Sequence, residues 1–264
     1  MLRPYSGQTR QLNRCYARDD GMSMNLVQAN CRVQFTAEDL DFIVATLGSK
    51  TGGKECLVQL LTDEASRDTI LDDPKLYHAL LEQRGCLRVS THFYFYVLVR
   101  QVLRRAGFDD RAVADYVAEM LVKFAHPQQA QCVVAGRVEP CEYFFEMLAA
   151  LQHADHRGNF LIRAHMGNYS LFLAGVFPDR IRFRAESRGF PNLRYYEQLG
   201  QTSYRVASDH PLARRYKMAE IFATLGERFQ AARLALNDLA NRIVSLGDGD
   251  CGVDKLLRLD GGNA

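Results

Sequence analysis

The stretch RAHMGNYSLFLAGVFPDR, residues 163–180, decides how this chain is read. Bulky apolar residues surround one histidine, two glycines punctuate the run, and Pro178 ends it. With about 100° between successive residues, Ala164, Gly167, Ser170, Ala174 and Gly175 share one side of a helix over 159–177. Leu161, Ile162, His165, Tyr169, Phe172, Leu173 and Val176 share the other. A glycine inside a helix costs about 1 kcal/mol relative to alanine, so two of them imply a close neighbour. The following segment offers one, because Tyr196, Gly200, Ser203 and Ala207 also share a face. The expectation is a helix pair joined through small residues, with neighbouring backbone filling the bare side and no chamber for a guest. His165 then reads as a neutral core histidine bonded to a backbone carbonyl or to Tyr169, rather than as a base, metal ligand or haem ligand. Asn168 is expected to bond across the helix pair.

Outward from this joint the helical period recurs. TAEDLDFIVATLG (36–48) has Thr36 as cap, Asp39 three residues on, and Leu40, Ile43, Val44 and Leu47 on one face. Residues 53–73 read as one or two short helices. Asp73 and Pro74 open a further helix that buries Leu76, Tyr77, Leu80 and Leu81, with Gly85 as its terminator. The aromatic run after Ser90 would also suit a strand, but no partner strand is evident, so 90–107 is read as a central helix. Residues 109–126 give the clearest helix. Ala112, Val113, Tyr116, Val117, Met120, Leu121 and Phe124 form its stripe, with Arg111, Asp115 and Glu119 opposite. A helix over 139–154 follows, with Phe144, Met147, Leu148 and Leu151 on its apolar face. After Pro178 the alternation in RIRFR reads as a loop or short strand, and from Pro211 a long helical region runs to about Leu246 with a break near Gly226. The predicted fold is an all-α multi-helix bundle with a central small-residue helix pair. It divides into an irregular N-terminal arm (1–35), a single helical domain (36–246) and a flexible tail (247–264).

Composition narrows the class. The chain has 264 residues, enough for a self-sufficient core, and a formal charge of +2, too small to announce a nucleic-acid binder. Its seven cysteines form no C-x-x-C pair, which suits free thiols in a cytoplasmic protein better than a disulfide framework or a zinc ribbon. The first 20 residues lack an apolar core, so no signal peptide is expected there. The longest uninterrupted apolar run, residues 93–99, is too short to span a bilayer.

Two constellations of residues are candidates for chemistry or binding. Glu142, Glu146, His153 and His156 fall within about 80° of one another on a continuous helix. Together with His165, and with His92 further off, they are the candidate metal ligands of a helical metalloprotein or oxidoreductase. A di-iron bundle, however, needs two Glu-x-x-His motifs pointing inward, and a solvated polar face is the simpler reading. Arg180, Arg182, Arg184, Arg188 and Arg194, interleaved with Phe183, Phe190 and Tyr195, are candidates for holding a nucleic-acid strand or an acidic partner. Nucleophilic motifs are absent, the glycines of 48–55 lack the order of a phosphate loop, and 247–255 lacks the glutamate of a calcium loop.

GNYSLFLAGVFP, RYYEQLGQTSYRVAS and IFATLGERFQAARLALNDLA together resemble blocks shared by a sparsely characterised group of bacterial all-helical proteins. The blocks are G-[ND]-Y-x-L-F-x-x-G-x-F-P, Y-Y-x-x-x-G-x-x-x-Y and L-x-E-R-F, spread over about residues 165–240. The resemblance implies one packed unit and carries no activity, cofactor or catalytic residue. The sequence therefore points to a non-catalytic helical interaction or regulatory protein, with a protein partner or self-association, no cofactor and no membrane span. A metalloprotein and a nucleic-acid binder are the alternatives.

Overall fold

A computed structural model describes residues 26–48, 60–82, 88–125 and 144–246, with side chains to Ile243. All regular structure among these residues is helical. Helix α1 spans Ala37–Leu47, α2 Glu64–Leu71, α3 Pro74–Glu82, α4 Thr91–Arg105, α5 Arg111–Phe124 and α6 Phe144–Leu151. They are followed by α7 His156–Val176, α8 Pro178–Arg188, α9 Leu193–Asp209, α10 Pro211–Arg215, α11 Ala219–Glu227 and α12 Phe229–Leu246.

Local chemistry sets most boundaries. Thr36 and Asp39 close a capping box on α1, and the side chains of Asp63, Ser90, Asp110, Asp155 and Asn192 accept from the first free amides of α2, α4, α5, α7 and α9. Residues 91–99, which could have been strand, are helix: Ser90 caps them, and no strand lies alongside among the described residues. Residues 178–188, read from sequence as loop or strand, are also helix. Pro178 stands in its first turn and Gly189 ends it at φ 66°, a left-handed cap. Pro178 and Ile181, three residues apart, supply its buried side, a helical spacing that the charge alternation of RIRFR concealed. The long C-terminal region breaks twice. One break falls at Arg228, close to the expected site, and the other at Lys217, which adopts φ 58° without being glycine.

The core is two helix pairs bridged by a third layer. Helices α4 and α5 form an antiparallel hairpin, turned at Gly107 with φ 83°. Helices α7 and α9 form the other pair, α11 packs on α9 and α5, and α12 lies against α7 and α4. Phe93, Tyr96, Phe108, Tyr116, Phe160, Tyr204, Phe222 and Phe229 are almost fully buried within this unit. A smaller cluster beside it joins Phe144 and Met147 of α6 to Ile162 and Met166 of α7. Leu40 and Leu148, expected to be buried, are exposed at 40% and 36%.

The joint at 163–180 exists, but side chains fill it rather than backbone. A Cβ on Gly167 would lie 2.7 Å from the Tyr204 ring, and one on Gly200 would lie 2.4 Å from the Phe229 ring. Gly175 faces α12 instead of α9, with Leu236 Cβ 2.9 Å from the Cβ it lacks. The glycines are thus sockets for an aromatic ring or a leucine.

Residues 26–35 fold back on the hairpin. Val27 and Cys31 are buried, and the Phe35 ring packs edge-on against Phe93 and Tyr96. The Cys31 thiol donates to the His92 carbonyl at 3.3 Å, and Lys123 Nζ donates to the Leu26 carbonyl at 3.1 Å. This strap changes the standing of Asp115 and Glu119. They lie opposite the apolar stripe of α5, yet they are only 3% and 5% exposed. The tail at 247–264 lies outside the described residues.

Candidate functional site

Three polar assemblies are candidates. The first is the α4–α5 seam beneath the strap. His92, Tyr96 and Arg100 follow at four-residue intervals on α4, as do Arg111, Asp115, Glu119 and Lys123 on α5, so each set lines one helix face. His92 Nε2 lies 3.4 Å from Glu119 Oε2, and Lys123 Nζ lies 3.9 Å from Glu119 Oε1. Asp115 accepts the Arg32 backbone amide at 2.8 Å, and Arg32 Nη1 reaches Asp68 at 2.7 Å. Burial raises the Asp115 carboxyl above its ordinary value against the pull of Arg32, and burial lowers the Lys123 ammonium. At the far end Arg100 is fully buried. Its Nε and Nη2 hold both oxygens of Asp72, at 2.8 and 3.1 Å, and Arg111 Nη2 adds a third bond at 2.8 Å. Asp72 is held below its usual range because these guanidinium bonds outweigh the burial that opposes them. From sequence, Arg111, Asp115 and Glu119 stand opposite the apolar stripe of α5, and nothing local marks the strap that covers Asp115 and Glu119.

The second assembly is a buried knot. Asn168 Oδ1 accepts from the hydroxyls of Tyr116 at 2.7 Å and Tyr204 at 2.8 Å. Asn168 does bond across helices, and to two of them, α5 and α9. Both phenols are pushed well above their ordinary value by burial. His165 lies outside the knot. Its ring stacks on Tyr169 at 5.9 Å and meets Phe124 edge-on at 5.6 Å. Nε2 has no hydrogen-bond partner among the described residues, and burial lowers the ring to about 4. Among the described residues, the His165 ring is thus held by aromatic packing on Tyr169 and Phe124.

The remaining metal candidates are dispersed. Helix α6 stops at Leu151, His153 sits in the following turn, and His156 opens α7, so the continuous-helix register with Glu146 is interrupted. His153 and His156 are exposed, and the His156 ring lies over His210 at 4.0 Å between centroids. Glu142 lies outside the described residues. Among those described, no group of three or more His, Cys, Asp or Glu side chains is placed to hold a metal ion. An apolar recess between Phe95, Leu121, Phe172, Leu236 and Ile243 measures about 20 Å³, space for about one water molecule.

The third assembly is the outer side of α8 and the start of α9. Arg180, Arg182, Arg188 and Arg194 are exposed there. Phe183 is 64% exposed, with arginines on both sides of it in sequence. Arg184 lies over the Phe190 ring at 4.4 Å, and Arg182 pairs with Asp179 at 2.8 Å. The five arginines outnumber Asp179 and Glu186 by three, so this face carries a local surplus of positive charge. Among the described residues no helix is long and apolar enough to cross a membrane. Comparison with protein-family models, curated proteins and solved structures finds no match to this chain.

Proposed function

We propose that this chain is a non-catalytic helical interaction or regulatory protein, and that it meets an acidic protein partner through α8 and the start of α9. The observation that carries this reading is Phe183, an exposed ring set among arginines on a face with surplus positive charge. Arginine and aromatic side chains are enriched in the cores of protein interfaces, and they supply most hot spots. A single nucleic-acid strand is the weaker fit. It needs successive rings for base stacking in a basic groove, whereas the Phe190 ring is already covered by Arg184 and α8 presents a convex helix.

The test compares native companions of the wild-type chain with those of Phe183→Asp. The control is Leu234→Ser on α12, another exposed apolar residue at 50%. A companion retained by wild type and control, and weakened at least about tenfold by Phe183→Asp, is the expected result, since a central aromatic anchor is worth about 2 kcal/mol or more. An identical set of companions on all three contradicts the proposal. Binding to an oligothymidylate probe that falls steeply with salt and is lost in Phe183→Asp transfers the face to nucleic acid.

A further inference from the structure

Arg32 occupies a box built from three helices. Its Nη1 lies 2.7 Å from Asp68 Oδ1 on α2, its Nε lies 3.5 Å from Asp115 Oδ1 on α5, and its Cζ lies 5.7 Å from the Tyr96 ring centroid on α4. Two carboxylates on different elements beside an aromatic face are the surroundings a planar guanidinium prefers over an ammonium. The walls are buried: Asp115 is 3% and Tyr96 0% exposed. The fit is incomplete from the strap's side. Arg32 Nε makes no aligned hydrogen bond, and the buried Tyr96 hydroxyl has no partner among the described residues.

Contacts other than those of Arg32 also tie together the helices that carry the box. Asp39 joins α1 to α4, accepting from the Ser90 amide and hydroxyl at 2.6 Å each. Asp72, beyond the end of α2, is tied to α4 by Arg100 and to α5 by Arg111. Arg111 Nε also stands 3.7 Å from Asp68 Oδ2, which tempers the charge left behind when Arg32 is removed.

We propose that Asp68, Asp115 and Tyr96 form a receptor for an alkylguanidinium group. Arg32 occupies it from within, so the strap at 26–35 is a plug held by its own ligand. This assignment is independent of the α8 surface.

Chemical rescue tests it. Arg32→Met keeps the apolar stem and removes the guanidinium. Thermal unfolding is followed with millimolar methylguanidinium chloride, and with methylammonium chloride and sodium chloride at equal ionic strength. The variant is expected to melt below wild type and to regain about 2–4 °C, saturably, with methylguanidinium alone. Wild type gains nothing, and adding Asp115→Asn to the variant abolishes the gain. No gain with methylguanidinium, or an equal gain with either control salt, overturns the proposal. If Arg32→Met does not fold alone, refolding yield is read instead: recovery only with methylguanidinium supports the receptor, and no recovery overturns it.

Discussion

Gly200→Val is expected to be among the most damaging single substitutions in the chain, lowering stability by about 3 kcal/mol or more. The first added carbon would fall 2.4 Å from the Phe229 ring and 2.9 Å from Ser170 Cβ. Neither neighbour has room to yield. Phe229 and Ser170 are both fully buried, and Phe229 packs against Tyr204 at 6.1 Å between ring centroids. Relieving the clash therefore means separating α7 from α9 or expelling the ring that seals them. Gly189→Asn is the matched control. Nothing lies within 4 Å of its Cβ position, and its φ of 66° is one that asparagine tolerates, so its change should stay within about 0.5 kcal/mol. Urea unfolding of both variants makes the comparison. A Gly200→Val midpoint equal to that of Gly189→Asn contradicts the close joint.

Asn168→Leu keeps the branched outline of the side chain and is expected to cost about 2–5 kcal/mol, mainly because two buried phenol donors lose their acceptor at about 1–3 kcal/mol each, with the larger volume of leucine adding to the cost. Asn168 is 2% exposed and Tyr116 and Tyr204 are fully buried, so solvent does not replace the lost bonds. The sharper test is compensation. Adding Tyr116→Phe and Tyr204→Phe to Asn168→Leu removes the stranded hydroxyls and should recover most of the loss. If the triple variant is as unstable as the sum of its parts, the knot does not work as a unit.

The helical class was legible because apolar spacing, caps and glycine stops agreed, as Thr36–Asp39 and Ser90 illustrate. The joint between α7 and α9 was legible because glycine inside a helix demands a reason. What fills it was not: a glycine shows that something comes close, and only the fold reveals Tyr204, Phe229 and Leu236. Helix α8 was missed because alternating arginines outweighed the three-residue step from Pro178 to Ile181. The break at Lys217 carries no glycine or proline to mark it. The buried seam was hidden for a different reason. Asp115 and Glu119 have the pattern of a solvated face, and their burial depends on a strap about 80 residues away in sequence. The arginine face could be read directly, since exposed charge needs no distant partner to define it.

Asn168, Tyr116 and Tyr204 close the interior of the α7–α9 joint with their own side chains. Alkaline difference absorbance of the phenols tests this most directly. The chain has 12 tyrosines, and wild type is compared with Tyr116→Phe and Tyr204→Phe. Tyr116 and Tyr204 should remain protonated in the folded chain while exposed phenols titrate near pH 10, and should ionise only together with loss of helical signal. Reversible ionisation of either residue near pH 10 in protein that keeps its helical signal would mean that solvent, and hence a ligand, reaches the joint.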